Sequence, residues 1–263
     1  MCSKLTVGLK SSIRSNQLRY GLSSLSFSSV YGISERRSQL LNVKSISKAY
    51  GKKQILDKIS FSVEKGEVIG LVGENGAGKS TLLKIIATLL KPDDGQVELG
   101  EFSYQKHRAK IRKNIGFVPQ DIVIWENLTV EENMLYFEKL AWKKKTKEEL
   151  RQLCLEMNLD KWKERVKTLS GGMKRKLNLA ISLIHDPTLL LLDEPTAGID
   201  LKSRIEIGAY LKKQAREDGK MIIYISHDMD EIISLCDRII CIGHDPFYEQ
   251  LLEKTGKEII TFH

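Results

Sequence analysis

The chain has 263 residues, 41% of them hydrophobic and 29% charged, with a formal net charge of +8. It is long enough to bury a proper core as one large domain, or as a domain with a subdomain and a tail. Cys2, Cys154, Cys236 and Cys241 are scattered and form no C-x-x-C pair, so neither a zinc ribbon nor a disulfide framework is indicated, and a reducing compartment fits.

Residues 1–40 hold Lys4, Lys10, Arg14, Arg19, Arg36 and Arg37 against Glu35 alone, so five of the eight net charges lie there. The remaining +3 is ordinary for a body of this size, and no nucleic-acid partner is expected. This serine-rich, aperiodic stretch reads as a disordered extension or an early start. An organelle transit peptide and a lipid-docking segment are the alternatives. No window approaches the ~18 consecutive apolar residues of a membrane span, so any crossing belongs to another chain.

From Leu41 the pattern alternates. Residues 41–47 and 59–63 read as half-buried strands joined by a connection that includes residues 48–53. Tyr50 in that connection either caps an edge or offers its ring to a purine face. Next, the apolar run Val68 to Val72 leads into Gly73, Glu74, Asn75, Gly76, Ala77, Gly78, Lys79, Ser80 and Thr81, and then into a helix starting at Leu82. Gly73, Gly78, Lys79 and Ser80 fit the G-x-x-x-x-G-K-[ST] spacing, in which backbone N–H groups wrap nucleotide phosphates. Side chains at the glycines would block that approach. Lys79 is expected on the β- and γ-phosphates and Ser80 on Mg²⁺.

Residues 91–95 form a turn, 96–99 return as a strand, and 115–118 make a strand stopped by Pro119. Gln120, just past it, is either a solvated loop residue or a contact to Mg²⁺ or the attacking water. From about 127 to 167 the pattern turns helical. Thr129 with Glu132, and Thr146 with Glu149, satisfy the capping box. Val130, Met134, Phe137 and Leu140, then Leu150, Leu153 and Met157, follow at helical spacing, marking a helical insertion over about 121–168. Lys143, Lys144 and Lys145 between these helices read as a solvated corner.

Ser170 is a plausible N-cap for a buried helix. Gly171 and Gly172 give either a tight entry or a second anion site of exposed N–H groups. The apolar run Leu189 to Leu192 ends in Asp193 and Glu194, as in a central parallel strand buried on both faces. Two carboxylates there lie where open α/β sheets bind ligands, and burying them without a metal or partner is costly. Asp193 is therefore read as the Mg²⁺ ligand and Glu194 as the base that orients or deprotonates water. Residues 197–200 turn into a helix from Leu201 to Arg216, and the strand from Met221 to Ile225 ends at His227, a γ-phosphate candidate. His107, His185, His244 and His263 receive no role. Residues 236–242 read as the last strand, followed by a closing helix and a tail over 249–263.

The ordered set of phosphate loop, Gln120, Leu169-Ser170-Gly171-Gly172, Asp193-Glu194, Asp200 and His227 resembles the nucleotide-binding domain of ABC transporters, over about residues 41–248. The resemblance implies an α/β fold: a P-loop NTPase core with a mostly parallel sheet, an N-terminal antiparallel β subdomain and an inserted α-helical subdomain. It implies ATP with Mg²⁺ and a head-to-tail homodimer or heterodimer of ATPase subunits. Each ATP would lie between one subunit's phosphate loop and the other's Ser170, Gly171 and Gly172. Tyr50 would stack on adenine, Asp200 would line the dimer seam, and His227 would hold the γ-phosphate. Gln120 would link the nucleotide to the helical subdomain, which would touch a separate membrane permease on the cytoplasmic face.

Two departures stand out: Met173 replaces the commonest glutamine, and Leu201 follows Asp200 where many relatives have proline. The Met-Lys-Arg-Lys continuation is similar to ATPases of multidrug, antibiotic and lipid exporters. A soluble ATP-gated clamp or scaffold is the alternative. Its DNA-repair form would need long coiled-coil arms, and fewer than about 90 residues separate phosphate loop from signature.

Overall fold

Strands of β-branched residues and helices opened by hydroxyl or carboxylate caps alternate along the residues that the computed structural model describes, 40–243, 245–253 and 255–263. The extension read before residue 40, and His244, lie outside the described residues.

Two sheets form. β1 (Leu41–Tyr50), β2 (Lys53–Val63), β4 (Asp94–Leu99) and the two-residue β5 (Phe102–Ser103) make an antiparallel sheet in the order β2-β1-β4-β5. β3 (Val68–Val72), β6 (Ile115–Val118), β7 (Leu189–Asp193), β8 (Met221–Ile225), β9 (Arg238–Ile242) and β10 (Glu258–Phe262) make a parallel sheet in the order β10-β9-β3-β8-β7-β6. The expected α/β architecture is therefore present, with an antiparallel N-terminal sheet beside a parallel one.

The helices are α1 (Lys79–Ile86), α2 (Tyr104–Arg112), α3 (Val130–Leu140), α4 (Lys147–Glu156), α5 (Gly171–Ser182), α6 (Leu201–Arg216), α7 (Met229–Leu235) and α8 (Pro246–Glu253). Both capping boxes form: Thr129 and Thr146 accept the N–H groups of Glu132 and Glu149, whose carboxylates accept the Thr129 and Thr146 N–H groups in return.

Successive side chains on a strand point to opposite faces, so each central strand feeds two cores. Leu189 and Leu191 pack with Ile69, Leu71, Ile223 and Ile225 against α1 and the antiparallel sheet. Leu190 and Leu192 pack with Ile222 and Tyr224 against α5, α6 and the helical insertion. Burial on both faces is why β3, β7 and β8 are unbroken apolar runs.

Four features differ from expectation. The connection read at 48–53 is only Gly51 and Lys52, because β1 pairs with β2 up to Tyr50 opposite Lys53. Residues 102–112 hold a short strand and a helix that were not read, since Lys106, Arg108, Lys110 and Arg112 obscure its apolar period. The tail contributes β10, whose Ile259 and Ile260 pair with Ile239 and Ile240 of β9 and extend the sheet edge. Leu140, placed on the buried stripe of α3 by spacing, is 65% exposed because the stripe ends with the last turn.

Candidate functional site

All pairings of the large sheet are parallel, so the carboxyl ends of β3, β8, β7 and β6 lie side by side along one edge. Each ends in a segment singled out by sequence: the phosphate loop after β3, His227 after β8, Asp193 and Glu194 at the end of β7, Gln120 after β6. Residues separated by more than a hundred positions meet there.

The phosphate loop carries left-handed backbone at Gly73, Gly76 and Gly78. Gly78 is the N-cap of α1, with φ of 102°, and a Cβ there would come within 2.7 Å of Leu56 Cδ2, so both conformation and space call for glycine. Ala77 N–H donates to the Glu74 carbonyl at 3.2 Å and tightens the turn. Lys79 is 7% exposed, and its ammonium donates to the carbonyls of Gly73 at 2.7 Å and Glu74 at 3.0 Å. Burial draws its pKa below the usual lysine value, against the opposing fields of Glu194 and Asp193.

Ser80 Oγ donates to Asp193 Oδ1 at 3.2 Å. Burial pushes the Asp193 carboxyl above its ordinary range, and the Ser80 hydrogen bond acts the other way. Glu194 has a left-handed φ of 50°, unusual for a non-glycine residue, and its N–H donates to the Ile225 carbonyl at 3.0 Å. Its carboxylate receives Gln120 Nε2 at 3.1 Å, and His227 Nε2 lies 2.9 Å from its other oxygen. β6, β7 and β8 thus each supply one member of this trio.

A cavity of about 290 Å³ opens over these groups. Tyr50, Asn75, Gly76, Gly78, Lys79, Ser80 and Thr81 line it, together with Gln120, Glu194 and His227. Gly73, Glu74 and Ala77 complete the loop behind, and Asp193 stands beneath Ser80. Tyr50, 54% exposed at the end of β1, stands at the rim with the Lys48 ammonium 5.7 Å from its ring centroid. Ile55, also in the wall, went unremarked in the sequence because a lone strand isoleucine carries no signal.

Ser170, Gly171 and Gly172 do not line this cavity. Ser170 caps α5, its Oγ accepting the Met173 N–H at 3.3 Å. Gly172 packs on the start of α6, where a Cβ would fall 2.1 Å from Ser203 Oγ. Asp200 caps α6, accepting the Ser203 N–H at 2.9 Å. The glycine turn and the Asp200 turn are therefore neighbours, away from the cavity of their own chain.

Arg175 was missed. On α5, 9% exposed, its Nη1 donates to the Gln120 carbonyl at 2.5 Å and ties the signature helix to the site. Within the Met-Lys-Arg-Lys run nothing separates it from an ordinary surface cation.

The donor set suits Mg²⁺. Ser80 and Asp193 offer two hard oxygens at adjacent positions, and Mg²⁺ is commonly held by one or two protein oxygens with phosphate and water completing the shell. Among the described residues, no group of three or more His, Cys, Asp or Glu is arranged to hold a metal alone.

Residues 56–197 match the family described as ABC transporter, more than half of the chain. The linearmycin resistance ATP-binding protein LnrL of Bacillus subtilis (strain 168) is 43% identical over 206 residues, covering 76% of this chain and 65% of that protein. The Nod factor export ATP-binding protein I of Rhizobium sp. (strain N33) is 40% identical over 208 residues, covering 78% and 68%. The chain spans 65–66% of the length of the first curated relatives it matches. The dimeric structure of MJ0796, a bacterial ABC transporter cassette, superposes with a TM-score of 0.69 at 27% identity, covering 77% of this chain and 94% of that one. Another MJ0796 structure, a dimeric post-hydrolysis state bound to ADP and Pi, gives 0.68 at 29%, with the same coverage. On this evidence, the chain belongs to the ABC transporter family, as one of its ATP-binding domains.

Proposed function

We propose that this protein binds and hydrolyses ATP as the motor subunit of an exporter, pairing head to tail with a second ATPase subunit and driving a separate membrane permease. The convergence of Gln120 and His227 on the Glu194 carboxylate, above the Lys79 ammonium, carries this reading. The names of relatives, a resistance protein and a Nod factor exporter, support the direction of transport.

On this reading the phosphate loop amides and the Lys79 ammonium bind the phosphates. Lys79 exchanges its bonds to the Gly73 and Glu74 carbonyls for bonds to phosphate oxygens. Ser80 and Asp193 hold the magnesium, which supplies charge neutralisation when bound. Glu194, gripped from both sides, orients a water molecule and accepts its proton. His227 follows the γ-phosphate, and Tyr50 covers adenine. Catalysis then rests on positioning and electrostatics. The Ser170 turn of a second subunit would close the open side of the cavity.

The permease partner is supported by an apolar patch on the helical insertion. Val123, Trp125, Tyr136 and Leu140 are all exposed, and Trp125 packs edge-on against Tyr136 with centroids 6.1 Å apart. The buried Asn133 fixes the Trp125 backbone by accepting its N–H at 2.8 Å and donating to its carbonyl at 3.0 Å. A patch presented by a rigid loop fits a protein partner. On this reading the protein sits peripherally, on the cytoplasmic face of the membrane that holds the permease; no described helix is long and apolar enough to cross it.

Glu194→Gln tests the proposal. Turnover should fall by roughly 100-fold or more, while ATP still binds and still induces pairing, read by phosphate release and light scattering. Undiminished hydrolysis would remove the assigned role. Co-purification with a soluble complex in place of a multi-span membrane chain would favour the clamp.

A further inference from the structure

Glu231, on α7, does not line the nucleotide cavity, and its side chain is only 11% exposed. One of its oxygens accepts three hydroxyls: Thr196 at 2.8 Å, Tyr224 at 2.8 Å and Ser226 at 2.7 Å. Its other oxygen lies 3.1 Å from Arg204 Nε. A carboxylate this buried requires such compensation. The partners, however, come from segments that each lead to the site. Thr196 follows Glu194 by two residues, Ser226 immediately precedes His227, and Arg204 stands one turn into α6 from its Asp200 cap. Arg204 Nη1 also pairs with Asp228, on the other side of His227. Asp228 is fixed in turn, since its N–H donates to Ser226 Oγ at 3.0 Å and its carboxylate caps α7. A second cavity, about 170 Å³, is lined by Glu194 and His227 together with Thr196, Arg204, Ser226 and Glu231.

We propose that Glu231 is a positioning residue for ATP hydrolysis: by gathering Thr196, Ser226 and Arg204, it holds the Glu194 loop and the His227 loop so that His227 Nε2 stands 2.9 Å from the Glu194 carboxylate, and it links both to the Asp200 turn. The role rests on the ATPase reading above. Glu231 reaches no residue of the phosphate loop, so it sets the rate of the chemical step and leaves nucleotide affinity alone. Its link through Arg204 makes the spacing of the catalytic pair responsive to whatever engages the Asp200 turn.

The test is Glu231→Gln in the full-length protein, where the amide keeps the volume, loses the charge and sets N–H groups against hydroxyl or guanidinium donors. We expect kcat for ATP to fall roughly 10- to 100-fold, the scale of a misplacement near 1 Å, with KM within about threefold. In a His227→Ala background the same change should lower kcat by a smaller factor than in the wild type, since one of the two groups it positions is gone. Equal losses in both backgrounds, or a KM rise that tracks a falling Tm, would overturn the proposal. Should Glu231→Gln fail to fold, Thr196→Val removes one hydroxyl at constant volume. It should lower kcat at unchanged Tm, and wild-type kcat in that variant would count equally against the role.

A readout independent of turnover is the His227 Cε1–H resonance, assigned by its absence in His227→Ala. It should shift or broaden in Glu231→Gln, and an unmoved signal would sink the positioning role even without hydrolysis. A wild type no faster than Lys79→Met would instead defeat the ATPase reading, leaving the resonance to decide the positioning.

Discussion

The phosphate loop and the Ser170 turn are both glycine-bearing helix starts, yet their glycines do different work. In the first, Gly73, Gly76 and Gly78 take left-handed backbone that lets amides face a cavity, and Lys79 is held there in advance by two carbonyls. In the second, Gly171 and Gly172 lie inside helix α5, capped by a side chain, and Gly172 is there because Ser203 leaves no room for a Cβ. One start lines a cavity of its own chain. The other is a packed surface presented outward, which suits a half-site that a second subunit would use. Glycine content alone does not distinguish them; backbone sign and the neighbour facing the missing Cβ do.

Four substitutions probe that contrast, beginning with the largest expected effect. Lys79→Met removes a cation from the phosphate loop and should weaken ATP binding by about 100-fold, near 2.7 kcal/mol. Titration calorimetry measures it, and unchanged affinity would break the comparison at its first term. Gly172→Ala forces a clash with Ser203 and should cost about 2 kcal/mol of stability. Gly171→Ala, whose nearest neighbours lie 3.9 Å away, should stay within about 0.5 kcal/mol. Both should leave ATP affinity of the monomer intact while weakening nucleotide-dependent pairing, as followed by thermal unfolding and size-exclusion chromatography. A loss of monomer affinity in either would place the second turn in the first site. Ser170→Ala deletes only a cap, whose bond to Met173 N–H is 3.3 Å long, and should cost about 1 kcal/mol. A stability change near zero would show that packing on α6 alone holds the start of α5.

Much of the fold was readable because it depends on local rules. Thr129 and Thr146 each announce a helix through a partner three residues on, and both capping boxes form. The run of four leucines before Asp193 announces a strand buried on both faces, and each is fully buried. Where competing forces act, the local rules fell short. Tyr50 joins a strand because β2 pairs with β1 as far as Lys53 opposite it, and β10 forms because β9 offers it an open edge. Leu140 follows the helical period yet lies beyond the surface that buries its neighbours.

The candidate site divides the same way. Lys79, Ser80, Gln120, Asp193, Glu194 and His227 stood out because each occupies the end of a strand or the start of a helix, where backbone groups and ligands meet. Arg175 and Glu231 did not, since an arginine in a basic run and a glutamate in the first turn of a helix look like surface residues.

The order of glycines, hydroxyls and apolar runs along the chain determined which segments became strands, helices and a phosphate-binding turn, because those preferences act over a few residues. Which groups meet was decided by the strand order β3-β8-β7-β6. Parallel pairing through distant connections brings Glu194 to His227 and Gln120, and no local interaction encodes that neighbourhood. It follows from burying both faces of one sheet at once.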